Sequence, residues 1–175
     1  LNSQLKQQLF EAFDAEEPPR NSDGLIVTLG LNIVQIEDVD ISRGLLKLHA
    51  WVRLSWHDDR LRWDQRQEYS TVELLRLPAA RPLPASPHAV WVPEVELMNS
   101  AQSTSSGSRQ YDATLYQNGT IFWSRLSDLH VLCAFEGLRS FPKDDLTCTL
   151  EPKNGVCWHK VGFSTGTLFV LFLIA

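Results

Sequence analysis

LHAWVRLSWHDDRLRWD, running from Leu48 to Asp64, decides the fold. Three tryptophans, Trp51, Trp56 and Trp63, fall within thirteen residues, with Asp58 two after the second and Leu61 two before the third. Extended back by two residues, the stretch alternates strictly. Leu46, Leu48, Ala50, Val52 and Leu54 point one way, and Lys47, His49, Trp51, Arg53 and Ser55 point the other. A period of two with one apolar face is the signature of a half-buried strand. Trp51 falls on the polar face. An indole there is accounted for by a partner surface or a ligand, or by a neighbouring loop that covers it at the rim.

Upstream, Leu5, Leu9 and Phe13 recur every four residues with Gln, Lys and Glu between them. This predicts an amphipathic helix started by Asn2 or Ser3 and stopped before Pro18-Pro19. The period then changes to two: Val27, Leu29, Leu31 and Ile33 alternate with Thr28, Gly30 and Asn32. Downstream, Pro78 to Pro87 holds four prolines and predicts an irregular loop, and Ser100 to Gln110 is Ser-rich and predicts a surface excursion. Tyr111 to Tyr116 and Ile121 to Leu126 flank Gln117-Asn118-Gly119-Thr120, a strong hairpin signal. Asn118-Gly119-Thr120 is also a glycosylation sequon. One helix followed by many short strands predicts an all-β, immunoglobulin-like sandwich of short antiparallel strands with one N-terminal α-helix, as a single domain over residues 1–175.

The 175 residues suffice for one domain with a core, and 43% hydrophobic with 21% charged residues is ordinary for a globular chain. A net charge of −5 argues against nucleic acid as partner, because phosphate binding needs a cationic surface. The N-terminus lacks a charged-then-apolar leader pattern, so the chain reads as a mature form, and no run of about 20 apolar residues predicts a membrane span. Thr167 to Ala175 is strongly apolar but only nine residues long. It reads as a buried strand, the first turns of a truncated membrane helix or sequence from a changed reading frame; a lipid-anchor tail would be at the short limit. Three cysteines, Cys133, Cys148 and Cys157, imply one disulfide and a spare thiol, or a missing fourth partner. A metal site from Cys148, Cys157 and His159 lacks a fourth ligand at recognisable spacing. None of the five histidines sits in a nucleophile or metal-ligand pattern, and His57-Asp58-Asp59 reads as a polar loop rather than an acid–base pair. No enzyme, catalytic residue, metal or cofactor is expected.

The tryptophan strand resembles the second strand of the extracellular ligand-binding domain of Cys-loop (pentameric, neurotransmitter-gated) receptors and of acetylcholine-binding proteins. Other landmarks keep the same order. Ile36-Glu37-Asp38-Val39-Asp40 leads into the strand, and Trp91-Val92-Pro93-Glu94 looks like the family's W-x-P-D segment. Gly119 and Ile121-Phe122-Trp123 resemble the strand pair of the complementary face, and Cys133 and Cys148 bracket Phe141-Pro142-Lys143-Asp144 as the family's F-P-x-D. The agreement covers about residues 1–150. The resemblance implies a Cys133–Cys148 disulfide, and closing a loop of about 15 residues stabilises by about 3 kcal/mol in the chain-entropy model.

The resemblance also implies a ligand held between two subunits by aromatic side chains. Trp51, Arg53, Phe122 and Ser124 match the complementary face, while Met98 and Trp158 match the principal face. Three departures stand out. The cysteines enclose one residue more than the family's spacing, Met98 stands where acetylcholine receptors carry a tyrosine, and residues 151–175 diverge or are truncated. The capping loop and the membrane helices fall among the segments absent from this chain. The expected function is therefore the extracellular ligand-binding domain of a pentameric, nicotinic-like neurotransmitter-gated ion channel. It would bind a small amine or amino-acid transmitter at interfaces between homologous subunits of a homo- or hetero-pentamer. The expected location is the extracellular side of the plasma membrane or the secreted fluid, with membrane contact only through absent segments. The alternatives are a truncated non-binding subunit that modulates assembly of complete subunits, and a soluble acetylcholine-binding-type protein.

Overall fold

The computed structural model describes residues 2–20, 25–79, 88–102, 111–135, 147–151, 160–162 and 172–174. Among these residues it is all-β apart from one N-terminal α-helix, α1 (Asn2–Phe10), and two 3₁₀ turns, Asp59–Leu61 and Gln67–Tyr69. The strands are β1 (Val27–Asp40), β2 (Leu45–His57), β3 (Leu74–Pro78), β4 (Asp112–Tyr116), β5 (Thr120–Leu132), β6 (Thr147–Thr149), β7 (Lys160–Gly162) and β8 (Phe172–Ile174). Six form one antiparallel sheet in the order β3-β4-β5-β2-β1-β8, and β6 pairs with β7 in a second, consistent with a sandwich.

The centre of the large sheet is β2, which pairs with β5 without interruption from Leu45↔Leu132 to His57↔Thr120. Its burial alternates along all 13 residues, with Leu46, Leu48, Ala50, Val52, Leu54 and Trp56 buried. Opposite them β5 buries Ile121, Trp123, Leu129 and Val131, and β1 buries Val27, Leu29 and Leu31. These residues form one core with Leu5, Leu9, Leu61, Trp63 and Tyr69. Two departures from plain alternation occur in β1, where register shifts fall between Ile33 and Gln35 and between Ile36 and Asp38. Past the first shift Ile36, and past the second Val39, are exposed, so the apolar pattern read for Val27 to Ile33 does not run on to the strand's end.

The helix ends at Phe10, earlier than Leu5-Leu9-Phe13 periodicity suggests. Tertiary contacts hold Phe13 in place instead. Its ring meets Phe10 edge-on at 5.0 Å, and the Arg60 guanidinium lies 4.6 Å from its centroid. Arg60 in turn is gripped by Asp58, which is 1% exposed and accepts hydrogen bonds from Arg60 Nε (3.0 Å), Nη2 (2.9 Å) and the backbone N–H (3.1 Å). Asp58 thereby caps the 3₁₀ turn Asp59–Leu61, and its hydrogen bond raises the Arg60 pKa further above the ordinary range. Of His57-Asp58-Asp59, read above as a polar loop, the middle residue is a buried structural anchor.

The hairpin between β4 and β5 is as expected from Asn118-Gly119. Gly119 has φ +86°, and a Cβ there would sit 2.7 Å from the Asp58 carbonyl oxygen, so both conformation and space require glycine. Asp58 N–H donates to Gly119 O, and the N–H groups of Trp63 and Asp64 both donate to Gln117 O, each at 3.0 Å. Cys133 and Cys148 are joined, with Cα atoms 5.2 Å apart, which removes Cys148 from the rival metal set. Gly44, at φ +63°, accepts from Cys133 N–H at 2.7 Å and leaves no room for a side chain, so the β1–β2 turn docks directly on the disulfide. Pro78 closes β3 and Ala79 bridges Val90, while most of the Pro-rich and Ser-rich stretches lie outside the described residues. Of the apolar C-terminal stretch, Phe172–Ile174 adds to β1 as an edge strand against Val27–Leu29.

Asp58→Ala should lower unfolding free energy by about 3 kcal/mol, because it strands a partly buried guanidinium and removes a cap. Urea denaturation measures this; a loss below about 0.5 kcal/mol would contradict the anchoring role.

Candidate functional site

Register places the expected residues. Across the three central strands, Trp51 stands between Asn32 and Leu126, Arg53 between Gly30 and Ser124, and Ser55 between Thr28 and Phe122. Directly opposed residues in antiparallel strands project to the same side. Trp51, Arg53, Phe122 and Ser124 therefore share the face of the sheet turned away from the core. Trp51 and Arg53 are half-buried, and Phe122 and Leu126 are 37% and 43% exposed. The remaining tryptophans of the stretch behave differently. Trp63 is buried and donates Nε1–H to Val72 O at 2.9 Å. Trp56 is buried edge-on to Trp91, with ring centroids 6.1 Å apart.

Arg53 has an unusual setting. Its neighbours on the face are Gly30, Ser55 and Ser124, none of them charged, and among the described residues no carboxylate pairs with it. The other arginines of this part of the chain are engaged: Arg60 by Asp58, and Arg62 by Asp64 at 2.7 Å. That contact holds the Asp64 carboxyl below its usual range and lifts the Arg62 guanidinium. On the inner face, burial pushes the Arg125 guanidinium down from its ordinary value, and its carbon lies 5.5 Å from the Trp123 ring centroid.

On the other side of Trp51 along β2 is His49. Its Nδ1 lies 2.5 Å from Asp128 Oδ1 on β5, and its Nε2 lies 3.9 Å from Glu37 Oε2 on β1. Next along, Lys47 Nζ lies 3.4 Å from Asp38 Oδ2. Among the described residues, the outer face around Trp51 thus carries Asn32 and Leu126 across the neighbouring strands, the Arg53 cation on one side along β2 and a three-strand ionic cluster on the other.

Met98 is not brought to this face. It is 66% exposed on a segment tied to the far end of β5. The tie is Asn99, which no motif reading singled out. Asn99 Nδ2 donates to Leu132 O and Thr149 O, both at 2.8 Å, and its Oδ1 accepts from Glu151 N–H at 3.0 Å. One amide side chain so fastens the segment after Trp91-Val92-Pro93-Glu94 to β5 and β6. Asn118 occupies an exposed turn, with its Oδ1 accepting from Thr120 N–H at 3.0 Å. Trp158, Cys157 and His159 lie outside the described residues.

Comparison with known proteins identifies this arrangement. The family described as neurotransmitter-gated ion-channel ligand binding domain matches residues 2–154. The neuronal acetylcholine receptor subunit alpha-2 of Rattus norvegicus is 29% identical over 149 residues, covering 84% of this chain and 27% of that protein. Subunit alpha-4 of Gallus gallus is 30% identical over the same length, covering 22% of it, and subunit alpha-9-II of Oncorhynchus mykiss is 32% identical, covering 25%. The chain spans about a quarter of the length of these relatives.

Trp56→Ala should cost about 3–5 kcal/mol of stability, as emptying a buried indole site does, whereas Trp51→Ala should cost about 1 kcal/mol. Parallel urea melts of the two variants check the contrast. Equal losses would mean that Trp51 belongs to the core.

Proposed function

This chain belongs to the neurotransmitter-gated ion-channel ligand-binding domain family, and on that footing we propose that its outer sheet face binds a small amine or amino-acid transmitter at the junction with a homologous subunit. The observation that carries this reading is the half-buried Trp51 on the outer face, with Leu126 opposite it, Arg53 next to it along β2, and Ser124 and Phe122 following on the same face of β5. An indole that faces away from the core gains stability when a second surface or a ligand covers it. Phe122 adds an aromatic wall, and Ser124 a hydroxyl that can donate or accept.

The cation at Arg53 favours the amino-acid arm of this proposal. A half-buried guanidinium with no anionic neighbour among the described residues repels a bare ammonium and offers a fork of donors to a carboxylate. A ligand carrying both groups would set its carboxylate on Arg53 and its ammonium over an aromatic ring, where desolvated cation–π contacts contribute about 0.5–2 kcal/mol. Met98 and Trp158 would serve the opposite side of the subunit, completing the site of the next copy in a homo- or hetero-pentamer. In that setting the domain is extracellular, and Asn118, exposed in its turn, would carry an N-linked glycan.

Calorimetric titration with glutamate, γ-aminobutyrate and choline tests the proposal. The amino acids should bind more tightly than choline, and Trp51→Ala and Arg53→Gln should each weaken amino-acid binding by about tenfold or more. Unchanged affinity in Trp51→Ala would remove the assigned surface; choline preferred over both amino acids would remove the role of Arg53.

A further inference from the structure

The ionic cluster beside Trp51 has a property that its sequence does not announce. A neutral imidazole has one N–H and can donate to one acceptor only; the imidazolium donates from both nitrogens. In this structure both ring nitrogens of His49 face carboxylates, Asp128 Oδ1 at 2.5 Å on β5 and Glu37 Oε2 at 3.9 Å on β1. The geometry suits the charged form. Other charged groups border the ring. Asp38 on β1 is engaged by Lys47, which neighbours His49 on β2, and His130 on β5 stands opposite Lys47.

We propose that His49 is a proton-gated cation which, together with the permanent cation Arg53, flanks Trp51 and sets how strongly this face holds an acidic group. Its effect on binding rests on the recognition role proposed above for Trp51 and Arg53. Residues two apart on a strand share a face and lie about 7 Å apart, so His49 and Arg53 stand on either side of the indole along β2. Histidine changes charge between about pH 5 and pH 8. When His49 is protonated, the cluster of His49, Asp128 and Glu37 carries one negative charge less. When it is neutral, one nitrogen faces its carboxylate without a proton, and that repulsion loosens the tie between the strands. One unit of charge at about 7 Å changes affinity for a charged ligand about threefold in a water-like dielectric, and more as water is excluded. Acid therefore strengthens binding of a carboxylate and weakens binding of a cation.

The test follows the Trp51 indole N–H resonance of the ligand-free, 15N-labelled chain from pH 5 to pH 8, assigned by its loss in Trp51→Phe. The resonance should shift with pH in the unaltered chain, stay fixed in His49→Gln, and still shift in His130→Gln. A Trp51 resonance that ignores pH, or that moves equally in His49→Gln, overturns the proposal. Calorimetry with glutamate then reads the consequence. Affinity should rise about threefold or more between pH 8 and pH 5.5 and stay flat in His49→Gln. Absence of glutamate binding at every pH would remove the recognition reading, while the ligand-free indole titration would still decide the role of His49.

Discussion

Everything in this structure that concerns recognition depends on the unbroken antiparallel pairing of β2 with β5. Thirteen consecutive partners, from Leu45↔Leu132 to His57↔Thr120, leave no freedom for a residue to change sides. A slip of one residue would send Leu46, Leu48, Val52 and Leu54 to the solvent and bring Lys47 and Arg53 into the core. The cost of either exchange is several kcal/mol, so the apolar set fixes the register. Trp51 faces outward as a consequence of the leucines around it. Its placement needs no contact of its own.

The same pairing explains how distant segments reach the sheet. At one end of β5, Gly44 and Cys133 meet through a backbone hydrogen bond, Cys133 continues into the disulfide with Cys148, and Asn99 fastens its own segment to Leu132 and Thr149. At the other end, Asp58, Trp63 and Asp64 hydrogen-bond to the turn at Gln117 and Gly119. The outer face lies between two junctions built from backbone bonds, a cross-link and glycine positions that admit no Cβ. These junctions hold the strands that carry Trp51, Arg53 and Ser124 in register.

Much of this was legible in the chain itself. The alternation in β2, the Asn118-Gly119 hairpin and the outward tryptophan follow from local periodicity, because a strand with one buried face writes its orientation into every second residue. The order of the family landmarks pointed to the cysteine pair. What local pattern does not carry is tertiary. Asp58 resembles any loop aspartate until Arg60 folds back on it, and Phe13 continues a helical period that packing against Arg60 and Phe10 interrupts. Asn99 gives no local signal because its three partners, Leu132, Thr149 and Glu151, are far away in sequence. The pairing of His49 with Asp128 spans 79 residues, beyond the reach of any spacing rule.

The irregular part of β1 ties these observations together. Between Ile36 and Asp38 the register shifts, so one residue of β1 has no partner on β2. In a regular strand Glu37 and Asp38 would project to opposite faces. The shift brings both to the outer side, where Asp38 meets Lys47 and Glu37 approaches the Nε2 of His49. Bulges bend a strand and re-aim side chains, and the cost here is visible in Ile36 and Val39, which remain partly exposed beside fully buried Leu48 and Leu46. A sheet selected for core packing alone would keep the alternation and bury those two side chains. Instead the strand gives up apolar burial and gains two carboxylates beside the one outer-face indole of β2. The physical yield of that exchange is electrostatic: a region of adjustable charge two residues from Trp51, facing the fixed charge of Arg53 across the indole.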